Sequence, residues 1–225
     1  MQPRSAEERR AELVELYREA AVCARCPLSK TRTKIVFGAG NADADLMFVG
    51  EAPGMHEDQQ GLPFVGRAGQ LLNKLLEEIG LSRDDVFIAN VLQSRPPDNR
   101  DPQPDEIDAC KPFLHRKIEL IEPSVVCTLG NFSTKLLTRS QRGITSVHGR
   151  PQVHELGGRL LRVYPLFHPA AALRSTRTLE DLRADIARLP ALLEEPPPVP
   201  IGAVAPMAAA ISAEPAEPVP PTLFD

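Results

Sequence analysis

The sequence predicts an α/β protein in three layers, with helices on both faces of a central four-stranded parallel sheet. Three observations carry this. Short apolar runs alternate with helical patterns, and each run gives way to glycine, proline or a lone polar residue. The chain has 225 residues, 42% hydrophobic and 25% charged, which is enough for one such domain with an appendage.

The four runs are "DLMFVG" (45–50), "VFIANVL" (86–92), "SVVCTLG" (124–130) and "RVYPLF" (162–167). Each is too short for a stable helix and has the length of a buried strand. Helical patterns separate them. Residues 6–22 place Leu13, Leu16, Tyr17 and Ala20 on one face, and "AGQLLNKLLEEIG" (68–80) stops at a glycine. "PDEIDACKPFLHRKIELIEP" (104–123) opens with proline and acids, and "NFSTKLL" (131–137) begins at an asparagine suited to an N-cap.

The net charge is -4, but no Lys or Arg follows Arg188. Setting aside the five acidic residues after it leaves 25 acidic against 26 basic residues in the body. A near-neutral body permits a nucleic-acid partner through local basic patches and excludes a strongly basic DNA-coating protein. The N-terminus lacks a signal-like apolar stretch and no run reaches the length of a membrane span, so a cytoplasmic protein without membrane contact is expected. Residues 1–195 read as one domain and 196–225, rich in Pro and Ala with acidic residues, as a disordered tail. Its "TLFD" end (222–225) carries the tail's one bulky adjacent pair, a candidate docking motif. Nothing in the pattern calls for more than a monomer.

Cysteines stand at Cys23, Cys26, Cys110 and Cys127. In a chain without a secretory signal, a C-x2-C pair with two further thiols reads as a metal site rather than as disulfides. Zinc more often uses two close pairs, so an iron-sulfur cluster suits this spacing at least as well. Cys127, inside an apolar run, also reads as plain core.

Ligands of open parallel sheets bind beyond the carboxyl ends of the strands. There the sequence places "GEAPG" (50–54), Asn90 with "SRPPDNRDP" (94–102), Gly130-Asn131, and His168-Pro169-Ala170-Ala171. Phe64, within "GLPFVGRAG" (61–69), offers a flat face for stacking a base. Neither GxGxxG nor GxxxxGK occurs there, so nucleoside-triphosphate chemistry has no support.

Taken together, GEAPG, GLPFVGRAG, SRPPDNRDP, HPAA and the four cysteines resemble the family 4 uracil-DNA glycosylases, the iron-sulfur, thermostable-type bacterial and archaeal branch, over about residues 8–190. The resemblance implies a uracil-DNA glycosylase-like α/β/α fold and a monofunctional hydrolase that releases uracil from single- or double-stranded DNA in base excision repair. It implies a structural 4Fe-4S cluster on Cys23, Cys26, Cys110 and Cys127. His168 would donate to uracil O2, Asn90 would read the base edge, and Phe64 would stack under the flipped base, with Ala52 and Gly54 of the first motif beside it. Leu173 would be the wedge that fills the emptied stack. Other branches carry an aspartate where Ala52 stands, which leaves Glu51, Glu57 and Asn99 as candidates for the group that holds the water.

Two rivals belong to the same superfamily. A catalytically silent cluster-containing DNA-binding member would lack the His-Asn-Phe set, and a product-trapping relative carries GEQPG and a basic, histidine-containing insertion, where this chain has GEAPG and an uninterrupted "SRPPDNRDPQPDE". The terminal Leu-Phe resembles the end of bacterial peptides that dock on a replication sliding clamp, without their leading glutamine.

Overall fold

The computed structural model describes residues 4–199, so the tail from residue 200 with its TLFD end lies outside the described residues. The chain opens with α1 (Ala6–Ala21), started by a capping box in which Ser5 Oγ accepts from Glu8 N at 3.2 Å and the Glu8 carboxylate accepts from Ser5 N at 2.7 Å. Then come β1 (Ala39–Gly40), β2 (Leu46–Gly50), α2 (Met55–Gln60), α3 (Arg67–Glu77), β3 (Phe87–Asn90), α4 (Pro104–Ile121) and β4 (Val125–Leu129). The second half holds α5 (Asn131–Thr138), α6 (Ile144–Val147), β5 (Gln152–Leu156), β6 (Arg159–Leu166), α7 (Pro169–Ala172), α8 (Thr176–Ile186) and α9 (Leu189–Glu194).

The sheet has six strands in the order β1-β3-β2-β4-β6-β5. The four expected strands are its parallel centre, β3-β2-β4-β6. The expectation of four strands is corrected by an antiparallel edge on each side, β1 on β3 and β5 on β6. β1 has two residues, too few for any periodicity. The β5–β6 hairpin did carry a local signal, because Gly157-Gly158 sit at φ 60° and 77°, the two positive values that a tight hairpin of this hand requires. Asn131 is also corrected: Gly130 holds the cap position of α5, and Asn131 Oδ1 instead accepts from Ile144 N at 2.8 Å, tying α6 to α5.

Alternating strand residues feed two cores. Met47, Val49, Phe87, Ala89, Val126 and Val163 pack with α1 and α4 on one face. Leu46, Phe48, Ile88, Val125, Tyr164 and Leu166 pack with α3, α8 and α9 on the other, which gives the three layers. Beyond α9, Arg162 of β6 bonds the Glu195 carboxylate at 3.0 Å and the Pro196 carbonyl at 2.6 Å, so the body reaches one residue past the expected boundary. No described helix is long and apolar enough to cross a membrane.

From β2 the chain passes first to β3 on one side and then to β4 on the other. Such a reversal opens a crevice at the strands' carboxyl ends, and the site is built there.

The hairpin supplies a stability test. Gly158→Ala should cost about 1–2 kcal/mol for a left-handed alanine, its Cβ meeting open space. Gly157→Ala should cost more in urea unfolding, because its Cβ would lie 2.8 Å from the α4 backbone at Glu119.

Candidate active site

The β2–β3 register sets Gly50 beside Asn90 at the carboxyl edge of the sheet. A Cβ on Gly50 would stand 2.4 Å from Asn90 Oδ1 and 2.7 Å from the Phe64 ring, so only glycine lets the amide and the aromatic ring meet over this strand end.

Phe64 adopts φ 52°, a left-handed conformation that a bulky residue holds only under constraint. Two charged side chains supply it. Glu57 Oε1 accepts from the backbone N–H groups of Val65 and Gly66 at 2.9 and 2.8 Å. Arg83 donates to the carbonyls of Pro63 and Phe64 at 2.7 and 2.9 Å and to Asn73 Oδ1 at 3.2 Å. The Phe64 carbonyl rests on Gly69, where a Cβ would come within 1.7 Å of it.

His168 ends the segment leaving β6 and caps α7, its Nδ1 accepting from Ala170 N at 3.1 Å. An accepting Nδ1 puts the ring proton on Nε2. Burial pulls its pKa down to about 4, so the imidazole is neutral at pH 7. Its ring lies 5.6 Å from that of Phe64 at 28°, and its Cβ sits against the backbone of Gly130. Behind it Phe167 packs on the His148 ring at 4.4 Å, and His148 Nδ1 is paired with the Asp185 carboxylate at 2.7 Å.

Ala52, Gly54, Glu57, Phe64, Ala68, Asn90 and His168 line a cavity of about 190 Å³. An apolar cavity of about 150 Å³ accepts benzene, so this space suits one six-membered ring with exocyclic oxygens. Asn90 is buried and, among the described residues, its Oδ1 has no hydrogen-bond partner, which leaves an acceptor awaiting a donor beside an aromatic face and a neutral N–H.

A model of the Uracil DNA glycosylase superfamily matches residues 37–189. The chain belongs to this superfamily. It is 45% identical over 184 residues to the type-4 uracil-DNA glycosylase of Saccharolobus solfataricus, covering 80% of this chain and 85% of that protein. The type-4 enzyme of Sulfurisphaera tokodaii is 44% identical over 182 residues (79% and 83% covered), and that of Thermotoga maritima 46% over 168 residues (74% and 86%).

Within this superfamily member the remaining predicted residues divide. Glu51 follows β2 half-buried; burial first and Asp101 second raise its carboxyl to about 6. Asn99 is exposed, at φ 53°, and its Oδ1 accepts from Arg95 Nε at 2.8 Å; it is not among the cavity-lining residues. Leu173 follows α7 with 41% of its surface exposed and is not among the cavity-lining residues. Arg83 and Asp101 were missed. Nothing in "LSRDD" or "NRDP" marks them, since both act through residues distant in sequence.

The cysteines do not assemble as four. Cys23 and Cys26, just past α1, pack with buried Cys110 of α4 in the core on the first face. Cys127 is fully buried in the core on the opposite face, because alternation along β4 turns Val126 toward α4 and Cys127 away from it. Cys23, Cys26 and Cys110 therefore share one face of the sheet, and Cys127 stands apart from them on the other. Among the described residues, no three His, Cys, Asp or Glu side chains stand close enough to hold a single metal ion.

The His168 geometry is directly measurable. Its NMR titration should show a midpoint near 4 with the proton on Nε2 at neutral pH. Because the folded pKa is depressed, this group's contribution to stability is complete above about 6.5 and declines as pH falls from there toward 4, where the unfolded chain takes the proton first.

Proposed function

We propose that this protein releases uracil from DNA by hydrolysing the N-glycosidic bond of deoxyuridine, leaving an abasic site for base excision repair. The observation that carries the reading is the unpartnered, buried Asn90 Oδ1 facing a ring-sized cavity with Phe64 and His168. The likeness to type-4 uracil-DNA glycosylases over most of the chain supports it.

The reaction begins with extrusion of the nucleotide, which costs a few kcal/mol and is easiest from a mispair or a single strand. Leu173, exposed at the end of α7, takes the place of the departed base. The uracil ring lies on Phe64. Asn90 Oδ1 accepts from N3–H and its amide nitrogen donates to O4; cytosine offers an acceptor and a donor at those positions and leaves both halves of the amide unmatched.

As the C1′–N1 bond breaks, negative charge spreads over the uracil and positive charge over the sugar. The neutral His168 donates its Nε2 proton as a hydrogen bond to O2, stabilising the leaving anion without a counter-charge that would also grip the ground state. On the sugar side Glu51, ionised above pH 6, faces the developing cation and orients the water whose oxygen bonds to C1′. Glu57 Oε1 is already engaged by two backbone N–H groups, so its part is to hold the Phe64 loop.

We further read Cys23, Cys26 and Cys110 as the seat of a 4Fe-4S cluster with a structural task, pinning the segment after α1 to α4; no catalytic step passes through it. Cysteines that are all free suit a reducing cytoplasm. We read the catalytic body as a monomer, and docking of a sliding clamp on the terminal TLFD as a further partner reading.

Single-turnover assays on a uracil-containing single strand test the central reading. His168→Ala should slow release about 100-fold or more, the usual cost of one preorganised donor. Phe64→Ala should weaken binding of the extruded base by about 1–3 kcal/mol. No release by the wild-type chain, or equal release by wild type and His168→Ala, would sink it. The pH profile tests Glu51. Since its pKa is raised to about 6, the carboxyl keeps its proton up to that pH, and the rate should climb through pH 6 in wild type and lose that limb in Glu51→Gln.

A further inference from the structure

Each cysteine's address is fixed by packing. The loop that carries Cys23 and Cys26 lies on α4, where the Arg25 guanidinium covers the Phe113 ring at 4.7 Å, three residues beyond Cys110. Cys26 is held by Ser29, whose N–H and hydroxyl donate to its carbonyl at 3.2 and 2.9 Å. Leu13, Leu16, Ala20, Leu28, Phe113 and Leu114 fill the same core. Cys127 is a full layer away, bracketed in register by Phe48 and Tyr164, with no charged partner and a thiol held well above its ordinary pKa by burial. A side chain turned to that face is separated from the other three thiols by the sheet itself.

A different segment reaches the three thiols. After Asn90, where β3 ends, the chain runs on to Gln93, whose carbonyl accepts from Val36 N at 2.9 Å and whose Oε1 accepts from the buried Lys117 at 3.0 Å. Lys117 lies two turns along α4 from Cys110 on the same face, so its bond to Gln93 brings that residue to the face of α4 that carries Cys110. Ser94 follows Gln93 directly, at the head of the segment that leads to the start of α4. It is 3% exposed, and no side-chain hydrogen bond among the described residues engages its hydroxyl.

We propose that the cluster is held by Cys23, Cys26 and Cys110 with the Ser94 oxygen as fourth ligand, and that Cys127 is a core residue of β4. The inference rests on the cluster reading above. An alkoxide is a harder donor than thiolate, so one iron is held by a ligand less suited to it and differs from the other three.

The full-length chain is purified without oxygen, and iron, acid-labile sulfide and visible absorbance are measured per chain. Wild type and Cys127→Val should match, while Cys110→Ala should lose most of the iron. Iron loss to a chelator should be several-fold faster from Ser94→Ala and several-fold slower from Ser94→Cys than from wild type. If the branched side chain is not accommodated at the buried strand position, Cys127→Ala gives the same comparison. The Mössbauer spectrum of wild type supplies a reading free of variants at Cys127: one iron subsite should stand apart, and it should merge with the rest in Ser94→Cys. Iron loss from a folded Cys127 variant would return that residue to the ligand set, and unchanged iron retention and spectrum in the Ser94 variants would remove Ser94. A wild type with neither iron nor sulfide would instead overturn the cluster reading itself.

Discussion

Phe64 is held in the left-handed region at φ 52°, and the recognition pocket depends on its being kept there. Such a conformation costs about 1–3 kcal/mol for a bulky residue and persists only where neighbours impose it. Here the constraint is two-sided. Glu57 draws in the two N–H groups that follow Phe64, and Arg83 draws in the carbonyls of Pro63 and of Phe64 itself. The glycines at 50 and 69 leave room for the ring and the carbonyl. With the loop pinned, the ring presents a fixed face above Asn90 and beside His168 before any base arrives, so little of the binding energy is lost to ordering the site.

The electrostatics of the pocket match a bond that breaks into two charges. In the proposed reaction the leaving-group side is His168, a neutral donor whose tautomer is set by one backbone N–H, and the sugar side is the Glu51 carboxyl after β2, which burial leaves ionised only above about 6. A permanent cation in place of His168 would attract DNA phosphates as readily as a departing uracil. A neutral Nε2–H strengthens its bond mainly as the charge on O2 develops, which is the differential that accelerates the step.

The sheet separates two tasks, and one segment joins them. The pocket lies over the carboxyl rim and Cys23, Cys26 and Cys110 lie in the α1–α4 layer, yet β3 supplies Asn90 to the first and the chain beyond it carries Gln93 to α4. Lys117, fully buried and brought down to about 7 by that burial, fixes this passage by donating to Gln93 Oε1 and the Phe37 carbonyl while its ammonium faces the Phe37 ring at 4.1 Å. The segment that leaves Asn90 at the pocket is thus the one anchored on the cysteine-bearing face of α4.

The amino-acid sequence by itself determined the four parallel strands and the residues at their ends, because apolar period, glycine stops and proline starts are local signals that survive without neighbours. Gly50, Asn90, Phe64 and His168 could be placed on one rim for that reason, whereas the hairpin at Gly157-Gly158, though it had a local signal, was not read from it. Tertiary structure alone decided the face of Cys127, since the parity of a strand is invisible until its partners are known and a shift of one residue reverses it. It also decided the left-handed Phe64, the tautomer of His168, the clamp made by Arg83 and the bond that draws Gln93 to Lys117 of α4. Each of these is fixed by packing or hydrogen bonds formed only once the chain has folded, between groups that no local pattern relates.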